Sequence, residues 1–162
     1  SVLVRSLLDR TVFVLGRAAA AAAPAGAVIW LMRNINIGGI SILGYFTQLL
    51  EPFGRAMGLD GCVLTGFILG IPANEIVLPI ILTCYNAPAA MSVKEVLVSN
   101  GWTAKTAVCM IVFCICHFPC ATTLLTIKKE TGSLKQTFMS FWLPAMVGIV
   151  LCCAINLVWR AG

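Results

Sequence analysis

The chain has 162 residues, of which 60% are hydrophobic and 10% charged, and its formal net charge is +5. Soluble domains carry about 25% charged residues, so the composition excludes an ordinary soluble fold and reads as an all-α integral membrane protein. The positive charge sits in short loops and ends with no interleaved aromatics, which fits membrane lipid headgroups and excludes nucleic acid as a partner.

At about 20 apolar residues per full span, the length holds a single membrane domain, residues 1–162, of roughly four to six spanning or re-entrant segments. No signal-peptide pattern opens the chain at Ser1, and it reads as part of something longer. Ser1–Leu15 interleaves apolar residues with Arg5, Asp9 and Arg10, the pattern of an amphipathic lead-in at the interface. Gly16–Met32 reads as the first span, extendable back through Thr11–Leu15. Arg17 can snorkel near its start, and Trp30 and Arg33 mark its far end. The alanine run Ala18–Ala23 and Gly26 are small enough for a neighbouring helix to approach closely. Pro24 is placed to kink this helix.

Asn34–Gly39 is a turn-rich break. Ile40–Leu50 is apolar but too short to span, so it reads as interfacial or re-entrant. Glu51-Pro52 is expected to end it, and Phe53–Asp60 reads as a polar-edged connection.

Gly66–Tyr85, GFILGIPANEIVLPIILTCY, is the first of two unusual stretches. It is apolar enough for a bilayer, yet it contains Gly70, Pro72, Asn74, Glu75 and Pro79. Proline lacks a backbone donor and clashes with the preceding turn. A helix entering at Asp60 is therefore expected to break near Gly70–Ala73 and restart near Asn74. Asn74 suits the N-cap of the restarted helix, and Glu75 follows in a first turn where the dipole favours a carboxylate. A carboxylate at membrane depth is costly and normally faces a polar cavity or a partner. Glu75 is thus expected to face the protein interior. The plain alternative is a proline kink with an interfacial glutamate.

Asn86–Gly101 reads as a second interfacial stretch, with Lys94, Glu95 and Asn100 on its wet side. Trp102–Ile127 is the second unusual stretch, broken at Pro119 with His117 and Phe118 before the break and Cys120, Thr122 and Thr123 after it. Lys128, Lys129 and Glu130 are expected to lie in a charged loop running through Ser133. Leu134–Trp159 is the last span, carrying Pro144 and ending on Trp159 and Arg160. Two proline-broken hydrophobic segments in one small domain point to a binding site between them near the midplane.

There are eight cysteines. None belongs to a paired Cys-x-x-Cys framework, and most read as small buried hydrophobes. Cys120 differs, because a helix N-terminus favours thiolate. His117 offers an imidazole suited to a borderline transition metal; its structural alternative is a core histidine bonded to a carbonyl freed by the break. Thr122 and Thr123 either return their hydroxyls to freed carbonyls or line a polar path. Asn74 and Glu75 add oxygen ligands to the imidazole and thiolate, a set that favours a transition metal over magnesium or calcium.

These residues carry a resemblance. GLDGCVLTGFILGIPANEIVLPIIL from Gly58, NGWT from Asn100 and HFPCATTLLTIKKETGSLK from His117 occur in order, with APAGAVIWL at Ala23–Leu31 and EPFGRAMGLDG at Glu51–Gly61. The pattern resembles the ferrous iron transport protein B (FeoB) family over nearly the whole chain. It corresponds to the C-terminal part of the transmembrane domain, around the second gate, a region related to nucleoside-recognition segments. The resemblance implies import of ferrous iron, Fe2+, as transported substrate across the bacterial inner membrane by a multi-pass protein. It also implies a cytoplasmic G domain as partner in the remainder of the transporter, and a metal contact for Cys120. Cys62 stands where the pattern expects an aliphatic residue, and it receives no role.

No G-x-x-x-x-G-K-[ST] loop occurs in the chain, so it carries no GTP site and is not expected to be an enzyme. The first gate region is also absent, and a complete path needs it or a second copy of the chain in a homo-oligomer. The reading is therefore a helical bundle with proline-broken and re-entrant or interfacial helices. Cys120 and His117 are expected to face the GIPANE break across a polar cavity, with Asn74 and Glu75 as oxygen ligands. Gly70, Pro72, Pro119, Thr122 and Thr123 form the breaks or line the path. One alternative is a gate-type transporter of a small polar solute such as a nucleoside, which leaves Cys120 idle. Another is a membrane thiol oxidoreductase using Cys114, Cys116 and Cys120, against which stands the missing Cys-x-x-Cys spacing.

Overall fold

The computed structural model describes residues 2–88 and 90–161; within these, the side chains of residues 2–6, 9, 14, 17, 18, 21 and 161 are outside the description. The described residues form eight α-helices and one small hairpin. The first helix, α1, runs unbroken from Val2 to Asn34, through Pro24. The expected amphipathic lead-in and the first span, Gly16–Met32, are therefore one helix. The expected snorkelling of Arg17, and the wet face assigned to Arg5 and Asp9, lie outside the described side chains.

The turn-rich break is a two-stranded antiparallel hairpin, β1 (Asn36–Ile37) and β2 (Ile40–Ser41). Ser41 then caps α2 (Ile42–Ala56), its hydroxyl accepting from the Gly44 amide at 3.1 Å. Contrary to expectation, Glu51-Pro52 does not end this helix, which continues another turn to Ala56. The Glu51–Arg55 pair, 2.8 Å apart across one turn, lies over the proline. Gly54 packs that last turn against Asp60. These contacts hold helical a segment that one missing amide bond alone does not break.

Asp60 begins α3 (Gly61–Leu69) as its N-cap, with Oδ1 accepting from the Val63 amide at 2.8 Å. After a turn at residues 70–72, a single 3-10 turn (Asn74–Ile76) leads into α4 (Val77–Cys84). A capping box between Ser92 and Glu95 starts α5 (Val93–Ser99). The Ser92 amide and hydroxyl hold the Glu95 carboxyl below the usual range. Lys94, Glu95 and Asn100 are exposed, as expected for the wet side.

Next come α6 (Ala104–Cys116), an irregular stretch over 117–120, and α7 (Ala121–Thr131). Lys128, Lys129 and Glu130 are helical and not in a loop, because α7 ends only where Gly132 takes the left-handed conformation, φ 63°. The final helix, α8 (Leu134–Ala161), accommodates Pro144 without interruption. Among the described residues, two helical stretches are long and apolar enough to cross a membrane. They are Ala104–Thr131, interrupted at its middle, and Leu134–Arg160.

The core lies where α2 packs on α3, α3 on α4, and α6 and α7 on α8. Val63, Phe67, Ile81, Cys109, Phe113 and Cys152 are at its centre. Phe67 and Phe113 meet edge to face with ring centres 4.7 Å apart, a geometry that stabilises aromatic pairs beyond their area burial. On α8 the opposite face is different: Leu143, Val150, Leu157 and Val158 are all exposed. A soluble monomer rarely leaves so continuous an apolar face open.

Candidate functional site at two helix breaks

Both expected breaks are present, and they touch. The Ala121 amide, at the first position of α7, donates to the Ile71 carbonyl at 2.9 Å. Ile71 lies in the turn that ends α3, so one backbone hydrogen bond joins the break around Pro72 to the break around Pro119. Helix starts and ends leave orphan amides and carbonyls; here one orphan of each kind satisfies the other.

At the first break, Gly70 caps α3 and its Cα packs against Val77, where a β-carbon would lie 2.5 Å from a Val77 methyl. Pro72 sits in the turn that follows. Asn74 does not act as the N-cap. The restart runs through a 3-10 turn whose cap is Ala73, in an extended conformation with no side-chain bond. Asn74 is thereby carried one residue into the helix, and its Oδ1 is buried with no hydrogen-bond partner. Glu75 follows in the first turn as expected, but its side chain is exposed on this chain and not turned inward. Val77 takes the inward position beside it.

At the second break, His117 ends α6. Its Nδ1 lies 2.8 Å from the Cys114 carbonyl, the structural role that a freed carbonyl invites. The other ring nitrogen, Nε2, is buried without a partner. The ring is flanked by Phe67 and Phe118, with centres 5.1 and 5.5 Å away. Past Pro119, Cys120 is the N-cap of α7. Its Sγ lies 3.0 Å from the Thr122 hydroxyl and 3.2 Å from that of Thr123. The two threonines therefore turn to the thiol and not to freed carbonyls, and Cys120 keeps a half-buried sulfur at a helix start.

The cavity beside the joined breaks is not polar. Its volume is about 370 Å³, and Phe67, Ile71, Phe113, Phe118, Phe141 and Trp142 form much of its wall. The expectation of a polar cavity fails because the faces that meet at the breaks are the aromatic ones. The polar atoms Asn74 Oδ1 and His117 Nε2 are instead enclosed singly. Among the described residues, no three His, Cys, Asp or Glu side chains converge on a point that could hold a metal ion.

Three polar assemblies escape sequence reasoning. Tyr85 donates its hydroxyl proton to Asp60 Oδ2 and accepts from the Trp102 indole at 2.8 Å, tying α4 and the α5–α6 connection to the start of α3. Fully buried Thr65 donates to the Gly61 carbonyl at 2.7 Å and lies 3.4 Å from the Thr47 hydroxyl. Asn156, on α8, is 4% exposed; its amide donates to the Arg55 and Ala56 carbonyls, and its Oδ1 accepts from Lys105. A lone Asn in the apolar run of the last span was the available signal for the third.

Comparison with known proteins bears on the whole assembly. Residues 15–134 match the family model described as "Gate: Nucleoside recognition", and no catalytic domain is evident. The Fe(2+) transporter FeoB of Staphylococcus aureus, in strains COL and N315, is 28% identical over 134 residues, covering 76% of this chain. The chain spans 19% of the length of those relatives. No solved structure matches. The resemblance to the FeoB family read from the GIPANE and HFPC motifs is thus a distant one, carried by the gate region. With residues 15–134 of its 162 under one family model, the chain belongs to the Gate (nucleoside recognition) family.

Proposed function

We propose that this domain is the C-terminal permease part of a ferrous-iron transporter of the bacterial inner membrane. It works with the rest of that transporter, including a cytoplasmic G domain, and with the surrounding lipid. The observation that supports it best is the Ala121–Ile71 hydrogen bond, which brings the half-helix start bearing Cys120 against the interrupted segment bearing Asn74 and Glu75. Cys120 offers a soft ligand, His117 an imidazole and Asn74 an oxygen, a mixed set that suits ferrous iron as substrate. Glu75 stands on the outer side of the same turn, where it meets whatever flanks this domain in the whole transporter.

The reading is tested by Cys120→Ala in the full transporter. Anaerobic ferrous-iron titration is expected to show binding weakened at least tenfold, with Cys152→Ala, a core position, leaving it near wild type in protein that remains folded. Equal affinities for the two variants would remove Cys120 from the path. Glu75→Gln keeps shape and hydrogen bonding but removes charge. It is expected to lower iron uptake several-fold at equal protein level and with G-domain activity intact; unchanged uptake would confine the path to Cys120, His117 and backbone carbonyls.

A second reading, transport of a nucleoside-like solute, is favoured by one observation: the aromatic-walled cavity at the joined breaks. Under it, Asn74 and His117 hydrogen-bond the solute and Cys120→Ala leaves transport unchanged.

A further inference from the structure

α3 and α4 run back over each other in a register that can be read from three contacts. Gly70 meets Val77, Gly66 meets Ile81, and Asp60 holds Tyr85. The approach is close, since a β-carbon on Gly66 would lie 2.7 Å from the Ile81 side chain and 3.1 Å from the Val77 carbonyl. The same register sets Cys62 opposite Cys84. Both are half-buried, so a small reagent reaches them. They lie at the polar end of the hairpin, beside Asp60 and Tyr85, with the Thr47 hydroxyl 4.0 Å from Cys84 Sγ. The two other neighbouring thiols, Cys109 and Cys152, are fully buried in the core.

We propose that Cys62 and Cys84 are a redox modification site, converted by a hydroperoxide into an intrachain disulfide that ties the polar end of the α3–α4 hairpin. Thiolate is the attacking species in such chemistry. Cys84, whose Sγ lies beside the Thr47 hydroxyl, is the attacking thiol. Its sulfur takes an oxygen from the peroxide, breaking the O–O bond and releasing water, and becomes a sulfenic acid. Cys62 then attacks that sulfur, the S–S bond forms, and the hydroxyl leaves as a second water. Two thiols and one hydrogen peroxide thus give one disulfide and two waters. A sulfenic acid with a neighbouring thiol follows this route in preference to further oxidation. The site does not depend on what the domain transports.

The test uses the full protein in membrane vesicles, treated with hydrogen peroxide, blocked with N-ethylmaleimide and digested without reductant. Mass spectrometry is expected to find the Cys62 peptide joined to the Cys84 peptide, two hydrogens lighter than their sum and separated by reductant. The Cys109 and Cys152 peptides are expected to remain alkylated. In Cys62→Ser, Cys84 is expected to accumulate as a sulfenic acid captured by dimedone. The proposal is overturned if Cys62 and Cys84 stay alkylated at peroxide doses that oxidise other cysteines of the chain. It is equally overturned if each is recovered separately as a sulfinic acid in the wild-type protein.

Discussion

Gly61→Ala is expected to destabilise the domain by about 3 kcal/mol, enough to lower its level in membranes, because the new methyl has nowhere to go. A β-carbon at Gly61 would collide with the Thr47 carbonyl and lie 2.9 Å from Glu51 Oε2. Both are held in place: Thr47 is within α2, and Glu51 accepts from the Gly61 amide at 2.7 Å. The facing contact is equally tight, with a β-carbon on Gly54 falling 2.5 Å from the Asp60 carbonyl carbon. Relief requires that α2 and α3 separate, and their separation exposes the buried Thr65 pair. Gly26→Ala is the control, since nothing lies within 4 Å of its β-carbon position; there the better helix propensity of alanine gives a gain of up to about 1 kcal/mol. Thermal unfolding in detergent with protein level in membranes reads both. A wild-type melting temperature for Gly61→Ala would mean that the two helices do not approach so closely. The same corner carries a pH dependence. Burial works against the Glu51 charge, but hydrogen bonding to Arg55 and the Gly61 amide outweighs it and holds the carboxyl below the usual range. Its contribution to stability is therefore present above the ordinary carboxylate range and lost as pH falls through the lowered value.

Asn156→Ala is expected to cost about 3 kcal/mol through a different mechanism, the loss of partners for buried groups. The asparagine amide donates 3.0 and 2.9 Å hydrogen bonds to the last carbonyls of α2, and Lys105 Nζ donates to its Oδ1 at 3.0 Å. Alanine removes this partner from the Ala56 carbonyl and the Lys105 ammonium, while the Arg55 carbonyl keeps the Gly58 amide. Lys105→Met in the same background removes the stranded ammonium and is expected to restore part of the loss. A coupling energy of about 0.5–3 kcal/mol between the two sites in a double-mutant cycle is the signature of direct contact. Strict additivity would place Lys105 in solvent and remove it from the network.

The breaks around Pro72 and Pro119 were legible in the chain because each proline removes an amide and crowds the preceding turn, although Pro24 and Pro144 do the same inside helices that stay unbroken. Asp60 as a helix start and Cys120 as the head of a half-helix were legible for the same reason, each being a short-range event. What was not legible depended on which faces meet. Asn74 lost the cap to Ala73 because the restart tightens to a 3-10 turn, and composition does not distinguish that from an α-helical start. Pro52 failed to end α2 because Glu51, Gly54 and Arg55 find partners that lie across space or one turn away. The space beside the breaks came out aromatic because Phe67, Phe113 and Phe118 converge from three separate segments. Asn156 and the Asp60–Tyr85–Trp102 chain join residues 17 to 101 positions apart, beyond the reach of any periodicity.

The bond from Ala121 to Ile71 makes one amide proton a gauge of the whole junction. Its partner lies 50 residues away in sequence, so fraying of α7 alone does not fully account for its release to solvent; the two interruptions must part. Deuterium uptake at Ala121, set against uptake at Leu124 within the same helix, therefore meters how often the junction opens. A substrate that passes between the interruptions would quicken the first clock and leave the second running at its own rate.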